Sequence, residues 1–65
     1  MKIRLNGEER EVAAATLAAL ISELELTGKR IAVELNGEIA PRSQHAAIAL
    51  HSNDRIEIVH AIGGG

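Results

Sequence analysis

Two Asn-Gly dipeptides, Asn6-Gly7 and Asn36-Gly37, restrict the fold of this chain more than any other feature. Asparagine and glycine both tolerate positive φ, which a tight two-residue hairpin turn requires. Apolar and charged side chains alternate in residues 1–5, before the first dipeptide, and the same two-residue period returns in residues 31–35, before the second. That period is typical of half-buried strands. The sequence therefore predicts two strands that each run into a tight turn.

The predicted return strands are short, at residues 9–12 and 38–40. The first is mostly charged and offers only Val12 to a core, which favours an edge position. The second is limited by Pro41, because proline has no backbone N–H to give to a sheet.

A single helix is predicted between the two hairpins. Thr16 is suited to the N-cap, because its hydroxyl can accept a free backbone N–H, and Gly28 is the predicted stop. Between them, apolar residues recur at the helical spacing i, i+3, i+4, i+7: Leu17, Leu20, Ile21 and Leu24. We expect this stripe to face the core.

The second half of the chain contains one more clear strand. Residues 42–53 show no regular period and predict a short helical or irregular crossover, which ends in a turn at residues 53–54. The final strand is predicted at residues 55–61, and its side chains, together with that of the following Ile62, alternate between two faces. One face carries Ile56, Ile58, His60 and Ile62, and the other carries Arg55, Glu57, Val59 and Ala61. The apolar residues of the second face, Val59 and Ala61, could form a docking surface beside the terminus or pack under the crossover.

Together these elements predict an α+β fold in which one main helix covers a mixed sheet of four to five strands. A ubiquitin-like β-grasp has this arrangement, and another small split α+β fold would also fit. We expect a β-grasp domain at residues 1–61 and a flexible C-terminal tail at residues 62–65.

Composition excludes several classes of function. The 65 residues suffice for one small domain, whose core must come from aliphatic side chains because there is no Phe, Tyr or Trp. A net charge of −2 without a basic stripe argues against nucleic-acid binding. No cysteine is present to act as nucleophile or thiolate ligand. Without a membrane-length apolar run or a signal-peptide pattern, we expect a soluble cytoplasmic protein that is unprocessed at its start.

The usual chemical motifs are also missing. His45, His51 and His60 have no i, i+4 pair for a helical metal site, and no carboxylate cluster completes a ligand set. Phosphate-binding glycine loops open a helix, whereas Gly63, Gly64 and Gly65 follow the last strand. We therefore expect neither an enzyme nor a metal or cofactor site. Those three glycines can fray, or they can present the carboxylate of Gly65 to a partner.

The whole chain resembles the ThiS family, the sulfur carriers of thiamine biosynthesis. The resemblance is carried by Asn6-Gly7-Glu8, the Thr-led helix of residues 16–24, residues 33–39, Pro41-Arg42-Ser43, residues 54–59 and the terminal glycines. Two departures are Ser52-Asn53-Asp54, where the family often has Asp-Gly-Asp, and a third glycine where two suffice. Small subunits of molybdopterin synthase share the fold and a Gly-Gly end but are usually longer.

The resemblance implies a specific chemistry for Gly65. A ThiF-like adenylating enzyme would use ATP and magnesium, which it binds itself, to join the Gly65 carboxylate to AMP. Persulfide sulfur, drawn from cysteine through a desulfurase, would then displace AMP and leave a thiocarboxylate for thiazole synthase. Gly63 and Gly64 would thread the partners' active sites, and the carrier alone would be a monomer. A carrier for molybdopterin or another pathway, a ubiquitin-like modifier and a binding module remain alternatives.

Overall fold

The structure is a computed structural model that describes residues 1–60. Its elements in chain order are β1 (Lys2–Leu5), β2 (Glu8–Glu11), α1 (Leu17–Glu23), β3 (Ile31–Leu35), β4 (Glu38–Ile39), a 3₁₀ helix (Arg42–Ala47) and β5 (Arg55–His60). Within these residues the strands form one five-stranded sheet in the order β2-β1-β5-β3-β4. β1 and β5 run parallel, and the other neighbours are antiparallel. The predicted mixed sheet with one main helix is confirmed.

Both Asn-Gly dipeptides form the predicted turns. Asn6 and Gly7 have φ values of 50° and 84°, and Asn36 and Gly37 have 51° and 88°. Two successive positive φ values match the twist of an antiparallel hairpin. β2 begins one residue earlier than predicted and is exposed throughout, as an edge strand can be, while Val12 is buried just after it.

Helix α1 starts where the sequence predicts but ends earlier. The hydroxyl of Thr16 accepts a hydrogen bond from the N–H of Ala19 at 3.1 Å. The predicted stop at Gly28 is wrong, because the last helical residue is Glu23. Glu25 adopts φ 60°, and Leu26 N–H reaches back to the carbonyl of Ile21 at 2.9 Å. A glutamate thus takes the left-handed position that glycine usually occupies at a helix end.

The apolar stripe of α1 packs on the inner face of the sheet. Leu17 and Leu20 are fully buried there with Ile3, Val33 and Ile56. The crossover contains the 3₁₀ helix, which packs against α1. One face of the sheet is therefore covered, and no element of residues 1–60 covers the other, which we call the outer face. The predicted domain boundary between residues 61 and 62 lies outside the described residues and stays a prediction.

Candidate functional site

Strand β5 occupies the centre of the sheet. On one side it pairs with β3 along five positions, from Leu35↔Ile56 to Ile31↔His60. On the other side its ladder with β1 has only two positions, which end at Leu5↔Ile56. Ile56 is completely buried and Ile58 is 7% exposed. The strand that leads toward the terminal glycines is therefore anchored in the core as far as Ile58.

The side chain of Asn6 continues the β1 ladder where the backbone of β1 turns away. Its Oδ1 accepts the N–H of Ile58 at 2.8 Å, and its Nδ2–H donates to the carbonyl of Ile58 at 3.3 Å. A side-chain amide has the same donor and acceptor as a peptide group, so it can replace one rung of a sheet. We call this contact the Asn6 brace.

Asn36 braces the opposite end of β5 in a similar way. Its Oδ1 accepts the N–H of Arg55 at 2.9 Å, and its Nδ2–H donates to the carboxylate of Asp54 at 3.1 Å. Sequence reasoning assigned Asn6 and Asn36 only to turns and missed both braces. The available signal was the residue type, because glycine could also supply the positive φ but has no amide to donate.

The outer face carries an apolar patch beside β5, formed by Val59, Ala32 and Ile39. Val59 lies opposite Ala32 across the β5–β3 ladder, and Ile39 lies opposite Glu34 on the same face. Val59 is 59% exposed and Ile39 is 66% exposed. The alternative in which Val59 packs under the crossover is therefore wrong. Sequence reasoning singled out Val59 but missed Ile39.

The outer face is charged on its other half. Lys2 on β1 and Glu9 on β2 form an ion pair at 3.1 Å, with both side chains about as exposed as the patch. Arg4, which lies opposite Glu9, faces the same way. The two halves of one sheet surface thus differ, because the apolar patch lies on the half that adjoins the end of β5.

The model of the ThiS family matches residues 3–65 of this chain. The chain belongs to the ThiS family. It is 34% identical to the sulfur carrier protein ThiS of Bacillus subtilis, an alignment that covers 97% of this chain and 98% of the relative. The crystal structure of the thiamine biosynthesis protein ThiS from Geobacter metallireducens superposes with a TM-score of 0.85 at 30% identity and full coverage of both chains.

Membership in the ThiS family confirms the predicted family and the predicted fold. The fold is the ubiquitin-like β-grasp of the solved ThiS structure. The relative from Bacillus subtilis, which this chain covers almost completely, is a sulfur carrier protein. The family match runs through the terminal glycines.

Other ThiS-like sequences are part of longer proteins. The chain is 47% identical to a thiazole synthase from Paramagnetospirillum magneticum and 42% identical to one from Magnetococcus marinus, in both cases along its whole length. It spans only a fifth of the length of these two relatives, 20% in each case.

The three histidines of this ThiS-family protein lie in different environments. His45 is buried, with its Nε2 2.9 Å from the carbonyl oxygen of Ala40, which ties the 3₁₀ helix to the end of β4. His51 and His60 are exposed. In residues 1–60 no three His, Cys, Asp or Glu residues are close enough to hold a metal ion, and no helix there is long and apolar enough to span a membrane.

The predicted site residues Gly63, Gly64 and Gly65 lie outside the described residues. The structure therefore describes the part of the chain from which they continue: the end of β5, the Asn6 brace beside it and the apolar patch. Of these, the sequence predicted the strand and Val59.

Proposed function

We propose that this ThiS-family protein carries sulfur on the C-terminal carboxylate of Gly65. A carboxylate resists nucleophilic attack because its charge is delocalised, so a ThiF-like partner first activates it with ATP and magnesium. The carboxylate oxygen attacks the α-phosphorus of ATP, and pyrophosphate leaves. Persulfide sulfur from a cysteine desulfurase then displaces AMP from the carbonyl carbon. Cleavage of the sulfur–sulfur bond by a second thiol leaves the thiocarboxylate.

The observation that carries this proposal is the family match through residue 65. Nothing else in the chain offers comparable chemistry, because the sequence has no cysteine to hold sulfur on a side chain. The run Gly63-Gly64-Gly65 is also suited to a narrow channel, since glycine has no Cβ and reaches backbone angles that other residues avoid.

Thiazole synthase is the proposed acceptor of the sulfur. The support is that two thiazole synthases contain a stretch 47% and 42% identical to this chain. A carrier and its acceptor that meet in every cycle gain from physical linkage, because linkage raises their effective concentration.

The apolar patch is the proposed docking surface for the ThiF-like partner. Val59 and Ile39 together present exposed aliphatic side chains on an otherwise polar sheet face. Contact cores of protein interfaces are depleted of charge in the same way. Docking at Val59 would hold the end of β5 against the partner while the glycines reach its nucleotide.

Intact-mass spectrometry tests the proposed chemistry. The protein is incubated with a ThiF-like enzyme, ATP, magnesium, a cysteine desulfurase and cysteine. We expect a product heavier by the difference between sulfur and oxygen. The matched control lacks Gly64 and Gly65 and should give no such product while retaining its thermal unfolding midpoint. A branched conjugate with another protein would instead identify a modifier, and an unchanged mass would refute the carrier chemistry.

A further inference from the structure

β5 extends beyond the strand that supports it on one side. The β1 ladder ends at Leu5↔Ile56, because the chain turns at Asn6 and Gly7 and leads into β2. β5 continues to His60. In antiparallel pairing, successive backbone groups point to alternate sides of a strand. The N–H and carbonyl of Ile58 consequently face the side where β1 has no further strand residue in the described part of the chain.

The Asn6 brace fills that position with a side chain. The backbone N–H and carbonyl of Ile58 both hydrogen-bond to the side-chain amide of Asn6, at 2.8 Å and 3.3 Å. The turn itself fixes the amide in place, since Asn6 is held at φ 50° by the hairpin. Ile58 is the last buried residue of β5, and only Val59 and His60 separate it from the undescribed terminal residues.

The hydrogen bonds of the Asn6 brace can be removed without changing the turn. Glycine adopts the positive φ of the first turn position without strain but has no side-chain amide. An effect on function can be compared with an effect on stability, because the Asn36 side chain also accepts a backbone N–H of β5, that of Arg55 at the opposite end of the strand. The chain thus contains two similar braces that differ in their distance from the terminal glycines.

We infer that Asn6 is a positioning residue for the activation of Gly65. By holding the N–H and the carbonyl of Ile58, it fixes the end of β5 relative to a docked partner, and with it the point from which the chain continues toward Gly65. Fewer orientations of the carboxylate raise the fraction of docked complexes that can react. This role rests on the proposed adenylation of Gly65.

The test compares Asn6→Gly with Asn36→Gly in the full-length protein. Both changes keep a residue that accepts positive φ and remove one side-chain amide that is hydrogen-bonded to β5. In steady-state adenylation by a ThiF-like enzyme, we expect kcat for Asn6→Gly to fall about fivefold with KM changed by less than about twofold. Asn36→Gly should leave both constants near those of the wild type.

Amide hydrogen exchange reads the brace directly, without any partner. Asn6→Gly should speed the exchange of the Ile58 amide about tenfold relative to the wild type, and Asn36→Gly should leave that amide unchanged. Asn6→Asp adds a graded variant, since it keeps the acceptor for the Ile58 N–H but loses the donor to the carbonyl. We expect its kcat to lie between those of Asn6→Gly and the wild type.

Equal losses of kcat in Asn6→Gly and Asn36→Gly would overturn the positioning role, because they would indicate a general effect of destabilising β5. Unchanged exchange at Ile58 in Asn6→Gly would overturn it as well. If the wild-type protein is not adenylated at all, the proposed function fails and the positioning role fails with it. That outcome is distinguished from failure of the positioning role alone by the wild-type reaction.

Discussion

The two faces of β5 divide its six residues between different roles. Ile56 and Ile58 point toward α1 and are almost completely buried. Arg55, Glu57 and Val59 point to the outer face and are exposed. The inner face makes the fold, because its side chains are removed from water and fill the core. The outer face contributes little to the core and is available for contact with another protein.

Val59 is the residue that breaks the chemical division between these faces. An exposed strand position usually carries a polar side chain, as Arg55 and Glu57 do, because water solvates a polar side chain more favourably than an apolar one. Val59 is aliphatic and yet 59% exposed. The comparison teaches that the inner face can be identified from residue type, whereas a proposed docking position on the outer face is identified where residue type and exposure disagree.

The largest expected effect comes from the inner face. Ile56→Ala should cost about 3–4 kcal/mol of unfolding free energy, because it leaves a cavity at a fully buried position. A domain of this size is expected to have only about 3–5 kcal/mol in total. Urea unfolding followed by circular dichroism measures the loss. A cost below about 1 kcal/mol would show that the core can collapse around the gap.

Val59→Glu on the outer face should impair adenylation while leaving stability almost unchanged. We expect kcat/KM for adenylation to fall roughly tenfold, since a buried interface position would receive an unpaired charge, while unfolding free energy changes by less than about 1 kcal/mol. The matched control is Glu57→Gln, on the same strand and face but outside the patch. Wild-type kinetics for Val59→Glu would remove the patch from the docking surface.

Ile39→Thr tests how far the docking surface extends across the sheet. Threonine keeps the β-branched shape that suits a strand but replaces part of the apolar surface. We expect kcat/KM to fall by about threefold, less than for Val59→Glu because no charge is introduced. If Ile39→Thr reacts as fast as the wild type while Val59→Glu does not, the contact is confined to β5 and its neighbour β3.

The smallest effect is expected on the charged half of the outer face. Lys2→Ala removes the ion pair with Glu9, in which the two side chains are 62% and 60% exposed. Such a pair is screened by water and contributes about 0–1 kcal/mol. Unfolding free energy and adenylation kinetics should both stay close to wild type. A clear kinetic loss would place Lys2 in the docking surface and end the contrast between its two halves.

Local patterns in the sequence predicted most of the elements. The turns at Asn6 and Asn36 and the cap at Thr16 depend on neighbouring residues only, and all three are confirmed. The stop at Gly28 was wrong because Glu25 adopts a left-handed conformation that its residue type does not favour. The 3₁₀ helix lies where a short helical or irregular crossover was predicted, and its type could not be predicted because such short helices lack the period of an α-helix.

Contacts between distant residues could not be predicted in this way. Asn6 and Ile58 are separated by 52 positions, and nothing in either local sequence indicates that they meet. The exposure of Ile39 likewise depends on the position of β4 at the edge of the sheet. The sequence identified the strand that leads to the glycines, but the parts of the site that depend on strand order required the structure.

The braces also have a consequence for the chemical ageing of the protein. An asparagine that precedes a glycine is prone to deamidation, because the next backbone nitrogen can attack its side-chain carbon, and asparagine is among the thermolabile residues. At Asn6 the change would replace the Nδ2–H donor by a carboxylate oxygen facing the carbonyl of Ile58. We therefore expect stored protein to be adenylated more slowly while its circular dichroism spectrum still reports a folded domain.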